Sequence, residues 1–236
     1  MRVEPYDVDS YLHIIKRGAR GMEIVRDDSD KWRFIKMLYY LNDEFQSDSW
    51  EGDIENLELF ERPAKWPERR PLVCVSAWTL MPNHFHLLLR EIRAGGVSKF
   101  MQRLCGSMSA HFNAKYGEKG SLFQGAFKSR TVGEDNYLRY LAPYIMVKNV
   151  FELYPHNGLT GALKNFEDAW QWATQKYIFS SLPVYAHNKN SPIIEQNILH
   201  EIFEAPSAFK NTARDMVLNY AWYDGKEYQA LFLEKW

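Results

Sequence analysis

Cysteine is scarce. Only Cys74 and Cys105 occur in 236 residues, too few for a disulfide framework and not spaced as a zinc-thiolate site, so both read as reduced structural thiols. Long apolar runs are missing as well. No window approaches the ~18 consecutive apolar residues of a membrane span. The opening MRVEPYDVDS also has no apolar stretch of the secretory kind, so a cytoplasmic protein is expected. The absence of GxGxxG and GxxxxGK loops removes the common nucleotide-binding classes. No internal repeat or low-complexity tract is present. Net charge is lacking too, at −1, whereas nucleic-acid-binding domains usually carry a basic excess.

What is present changes that last inference. Residues 99–148 hold eight Lys/Arg against three acids, while residues 40–70 hold nine acids against four bases. The charge is segregated, and the whole-chain sum conceals a basic central third able to follow a phosphate backbone. With 46% apolar residues, 15% of all residues being aromatic, the chain can bury a substantial core.

Periodicity gives a coarse element order. Tyr11 to Lys16 alternates and is β-branched, a strand closed by Gly18 and Gly21. Asp27, Asp28, Ser29 and Asp30 supply helix-start chemistry before KWRFIKMLYYLNDEF, whose Trp32, Ile35, Leu38, Tyr39 and Asn42 recur at helical spacing. Residues 46–70, acidic and containing Pro63 and Pro67, read as an insertion with one short helix. Leu72 to Leu80 and His84 to Arg90 form a β-hairpin about the turn Met81-Pro82-Asn83. Val97 to Tyr116 is a helix stopped by Gly117, Leu122 to Val132 a fourth strand, and Glu134 to about Tyr154 a further helix. Helices are also expected around Lys164 to Gln175 and in the tail. The order β, α, β, β, α, β, α predicts an α+β fold with a ferredoxin-like βαββαβ core and one extra helix. The expected division is 1–155 for the main domain and 156–236 for a mostly helical C-terminal extension.

Within the hairpin, the stretch MPNHFHLLL carries the chemistry. On a strand, His84 and His86 share one face with Leu88, while Phe85, Leu87 and Leu89 fill the other. Two imidazoles side by side on a rigid strand make a two-ligand metal platform with open coordination positions, suited to polarising a phosphate oxygen. Packing explains many such pairs equally well. Two cations, Lys128 and Arg130, alternate along the fourth strand and so share a face, a plausible backbone track.

AWTLMPNHFHLLL resembles the "vMPNHvHLLl" signature of HUH-type single-tyrosine transposases, and the longer chain resembles the REP-associated tyrosine transposases of bacteria. Three further blocks occur in the matching order: YLHIIKRGARGMEIVRDDSDKWRFI, GSLFQGAFKSRTV and YIFSSLPVY. The resemblance covers about Tyr11 to Tyr185. It implies an HUH endonuclease palm, a divalent cation (Mg2+ or Mn2+) on His84 and His86, and single-stranded or hairpin DNA as partner, with no membrane and a monomer or homodimer. Of fourteen tyrosines, the one matching the family nucleophile is Tyr144, which opens YIMVKNV where the family has "YIhlNPv". Tyr137 and Tyr140 read as helix-packing aromatics. Pro143 disfavours an unbroken helix into Tyr144, so a kink or fresh helix start is expected there.

The family's Asn, four residues after the tyrosine, is Lys148 here, with Asn149 one place later. On a regular helix Lys148 falls beneath Tyr144 and Asn149 is rotated away. Either the helix is distorted enough to deliver Asn149 as a third ligand, or water completes the shell and Lys148 contacts the scissile phosphate or favours the tyrosinate. In the first block, His13 and Arg17 are candidates for contacting DNA, and for His13 a hydrogen-bonded core role is equally open. The implied activity is a metal-dependent single-strand DNA endonuclease and strand transferase working through a 5′-phosphotyrosine. The alternative is a domesticated sequence- or hairpin-specific DNA-binding protein without cleavage. A replication initiator or relaxase would need partner domains for which this chain is too short. A generic zinc hydrolase would need a carboxylate at motif distance.

Overall fold

The computed structural model describes residues 5–133, 135–195 and 198–219. Its centre is an antiparallel sheet built from β1 (Tyr11–Arg17), β2 (Val73–Leu80), β3 (His84–Glu91) and β4 (Lys128–Val132), in the order β2-β3-β1-β4. With α1 (Asp28–Tyr40) after β1 and α3 (Gly96–Tyr116) after β3, this is the expected ferredoxin-like βαββαβ arrangement.

Strand alternation gives the sheet two chemically different faces. Leu12, Ile14, Phe85, Leu87 and Leu89 point to one side and are fully buried. Phe34 of α1 packs there against Phe85 (5.2 Å) and Trp78 (6.1 Å). The opposite face carries His13, His84 and His86. Over it lies a continuous helical rod made of α4 (Asp135–Pro143), a π-helical segment (Tyr144–Lys148) and α5 (Asn149–Glu152).

Local chemistry places the ends of these elements. Asp27 caps α1 by accepting from the Asp30 N–H, as the sequence implies. Asn42 is buried and hydrogen-bonded to the backbone of Leu72 and Val73, which fixes where β2 begins. Glu91 turns its buried carboxylate to the N–H groups of Gly95 and Val97, satisfying the start of α3. The acidic insertion contains α2 (Trp50–Asp53) and is anchored by Asp53. That carboxylate accepts from Ser47, Lys65 and Trp66, and these hydrogen bonds, Lys65 foremost, hold its pKa down at about 2.

Two expectations need correction. The fourth strand starts at Lys128, not Leu122. The preceding loop is pinned across the end of β1 by a single Gly18–Phe123 bridge, by Gln124 N–H donating to Arg17 O and by the Lys16 ammonium donating to Gly125 O. Gly125 lies at φ 58°, which breaks the extended conformation. Trp32 is 39% exposed; Ile35 and Leu38 face the core as expected, joined there by Phe34 and Met37. Neither cysteine is in a disulfide among the described residues; Cys74 is buried, and burial pushes the Cys105 thiol up to about 12.

Residues beyond α5 close the β2 edge. The chain passes through α6 (Gly158–Lys164) and α7 (Phe166–Gln175), then reaches Ser180, which bridges Thr79 antiparallel, while Ser181 N–H donates to Trp78 O. Later Ile194 bridges Val75 in the parallel sense. Between them α8 (Leu182–Ala186) sends the Tyr185 hydroxyl to the carbonyl of Ser76, at the bulge of β2. The shared block YIFSSLPVY therefore seals an edge that would otherwise offer unpaired backbone groups. α9 (Ile198–Ile202) and α10 (Pro206–Leu218) complete this layer, with Phe209 packing on Tyr185 at 5.7 Å. The expected helical tail continues into 220–236, which lies outside the described residues.

Candidate active site

The histidine face of the sheet and the π segment meet in one buried cluster. The His84 and His86 rings are edge-to-face at 5.0 Å between centroids. The Tyr144 ring stands edge-on to His86 at 5.8 Å and to His13 at 6.0 Å. His13, on β1 opposite Leu88, stacks on His86 and joins it through a 2.9 Å hydrogen bond between His13 Nε2 and His86 Nδ1. His84 Nδ1 donates to Asn83 Oδ1 at 2.6 Å. Both paired imidazoles are thus held through Nδ1, and for His84 the carbonyl acceptor sets the tautomer and leaves Nε2 a lone pair.

The helical rod is distorted where the proline predicts. Pro143 removes one backbone donor, and the turn after it widens so that the Asn149 N–H donates to the carbonyl of Tyr144, five residues back. Insertions of this type are rare and often mark functional positions. The widened turn leaves the Ile145 carbonyl to Thr79 of β2, whose buried hydroxyl donates to it at 2.7 Å. The π turn thus ties the Asn149 backbone to Tyr144, while the Lys148 side chain is the one that lies over the Tyr144 ring. The Asn149 amide is fully buried, and among the described residues neither its oxygen nor its nitrogen has a hydrogen-bond partner. Lys148 lies with its ammonium 5.0 Å from the centre of the Tyr144 ring and forms a 2.6 Å ion pair with Glu152.

Beside the cluster a cleft of about 520 Å³ opens between the hairpin tip, the end of β1 and the end of α5. It is lined by Arg17, Pro82, Asn83, His84, Glu152 and others. Gly18 permits this close assembly, since a Cβ there would sit 2.1 Å from the Met22 carbonyl. Of the residues singled out from sequence, His13, His84, His86 and Tyr144 come together by ring contact, Lys148 joins them over the phenol, and Arg17 lines the cleft. Lys128 and Arg130 share the histidine face, opposite Ile15 and His13, toward the β4 edge, and neither lines the cleft. Three further side chains hold the site: Asn83, whose place in the motif shows only its turn, and Thr79 and Glu152, which carry no local signal.

The donor set fits a divalent cation in part. Two anchored imidazoles and a buried carboxamide offer nitrogen and oxygen donors, while among the described residues no three His, Cys, Asp or Glu side chains converge on one point. The remaining coordination would fall to water or substrate, as in an open catalytic site.

The fold and cluster together define a class: an α+β protein with a ferredoxin-like core, presenting paired imidazoles and a phenol on one sheet face. Residues 68–148 match the family model described as "Transposase IS200 like", a span that includes the hairpin, both paired histidines and Tyr144. This is the kind of family to which the sequence resemblance pointed. Among solved structures, one described as "Structure of the REP associates tyrosine transposase bound to a REP hairpin" is 13% identical, with 83% of this chain and 90% of that one covered and a TM-score of 0.40. No curated protein matches the chain. No helix among the described residues is long and apolar enough to cross a membrane.

Proposed function

We propose that the protein cuts and rejoins single-stranded DNA, at hairpin-type sites, with Tyr144 as nucleophile. One observation carries the reading: a phenol from the helical rod and the two imidazoles of His84 and His86 occupy the same face of the sheet in ring contact, within the span that resembles IS200-like transposases. His84 and His86, with Asn149 as oxygen donor, would hold a magnesium or manganese ion. When bound, such an ion polarises a phosphate oxygen and lowers the cost of charge at phosphorus.

The chain's own residues have distinct tasks in this scheme. With His86 Nδ1–H donating to His13, as His84 Nδ1–H does to Asn83, both Nε2 lone pairs would be left to hold a cation. Arg17 offers a guanidinium to the strand backbone in the cleft. Tyr144 Oη loses its proton and bonds to phosphorus; the bond from phosphorus to the 3′ oxygen breaks, and that oxygen takes up a proton to leave as a free hydroxyl. The product is a 5′-phosphotyrosine. A strand's 3′-hydroxyl reverses the step, so joining needs no ATP.

Tyr144 is fully buried, so attack requires the rod to move away from the sheet. The wide π turn and the Lys148–Glu152 pair are the elements that must rearrange. These same features favour a second reading, hairpin binding without cleavage. The two separate on a denaturing gel with labelled hairpin DNA, with and without manganese and with chelator. Tyr144→Phe is expected to abolish a covalent protein–DNA adduct formed by the wild type. An adduct persisting in that variant would move the nucleophile elsewhere, and binding without any product would favour the second reading.

A further inference from the structure

The wall of the cleft at Glu152 and Leu153 continues into an aromatic row whose outer rings, Trp172 and Tyr177, are only partly buried against the core. Tyr154 meets Trp172 edge-on at 5.7 Å, and Trp172 stacks on Tyr177 at 5.6 Å with planes 29° apart. Tyr177 meets Phe179 at 6.0 Å, and Phe179 meets Trp32 of α1 at 5.9 Å. The row is tied to the hairpin beside the cleft, because the Tyr177 hydroxyl donates to Leu80 O and the Leu80 N–H donates to Phe179 O. Its inner members, Tyr154 and Phe179, are buried. Trp172 and Tyr177 are half-buried, and Trp32 and the adjoining Ile178 are 39% and 41% exposed. Cations accompany the rings: the Lys31 ammonium lies 5.1 Å from the centre of Phe179, and exposed Lys176 adjoins Tyr177.

Half-exposed rings flanked by ammonium groups are the features on which unpaired bases stack with little regard to sequence. We propose that Trp32, Tyr177 and Trp172 form a stacking platform for the unpaired bases of the DNA strand as it passes out of the cleft. The proposal rests on reading the cleft as a DNA-strand site. It adds where the flanking bases lie, and it gives the exposed tryptophan of α1 a task that core packing does not.

The test uses the full chain and hairpin DNA carrying a short thymidine tail on either the 5′ or the 3′ side, compared with the same hairpin bearing abasic residues in that tail. For one of the two polarities the wild type should bind the thymidine tail about tenfold more tightly than the abasic one. Trp32→Leu and Trp172→Leu should each reduce that ratio, and Trp32→Phe should largely restore it, because phenylalanine keeps a stacking face. Should Trp172→Leu fail to fold, Trp32→Leu and the abasic comparison still decide the matter. Equal binding of thymidine and abasic tails by the wild type, or a ratio untouched by the leucine variants, overturns the platform while leaving the Tyr144 chemistry standing. Failure of the wild type to bind any hairpin overturns both.

Discussion

At the scale of single residues, His13 shows how a buried polar side chain acquires a task through its neighbour. It is fully buried, and its Nε2 lies 2.9 Å from His86 Nδ1. A partner of this kind commonly governs metal affinity by 10–100-fold. His13→Leu is therefore expected to weaken manganese binding within roughly that range, measured by titration in the absence of DNA, with partial recovery in His13→Gln. Unchanged affinity would show that His86 is oriented by something else. Asn149 makes the converse case. Its amide is buried without a hydrogen-bond partner among the described residues, an arrangement that costs about 1–3 kcal/mol. Asn149→Leu should leave the melting temperature unchanged or raise it while weakening manganese binding. A clear loss of stability would mean that the amide is satisfied in solution.

At the scale of elements, the two features that matter most are a turn that is too wide and an edge that is covered. The π segment is anchored from outside the helix by Thr79, whose hydroxyl takes the Ile145 carbonyl. That tether holds the π turn against β2, on the sheet face where the Tyr144 ring meets His13 and His86. The covered edge depends on Ser181, whose Oγ accepts from the Trp78 N–H at 2.9 Å. Ser181→Ala strands that buried donor and should lower unfolding stability by about 1–3 kcal/mol in denaturant titration. No change would mean that water reaches the β2 edge. The hairpin and both long helices were legible in the sequence because each carries its own period and punctuation. The start of the fourth strand was not, since GSLFQG has strand-like residues and is held as a loop by groups distant in sequence, among them Arg17 O, Gly18 and the Lys16 ammonium.

At the scale of the whole molecule, segregated charge predicts how DNA binding responds to salt. Each phosphate contacted by a cation on a single strand adds about 0.7 to the log–log slope of affinity against salt. Arg17 lines the cleft, so Arg17→Ala should flatten the slope by about that amount, read from hairpin titrations across a salt series. An unchanged slope would remove Arg17 from the phosphate path. The basic residues Lys128 and Arg130 lie farther along the same face of the sheet, consistent with a strand that crosses the sheet rather than one held at a single point.

Local spacing by itself determined that two imidazoles would stand on one face of a strand, that a ferredoxin-like order of elements would form, and that Tyr144 would follow a helix disturbed by proline. Alternation in a strand and donor loss at proline act over a few residues, so they are visible without coordinates. Only the tertiary structure decided that His13 would hold His86, that Thr79 would absorb the carbonyl released by the widened turn, and that the Asn149 amide would be buried while Lys148 lay over the phenol and paired with Glu152. Most of these outcomes join groups far apart along the chain, and even the widened turn is tied by a hydrogen bond to β2. No pattern in the intervening residues encodes them.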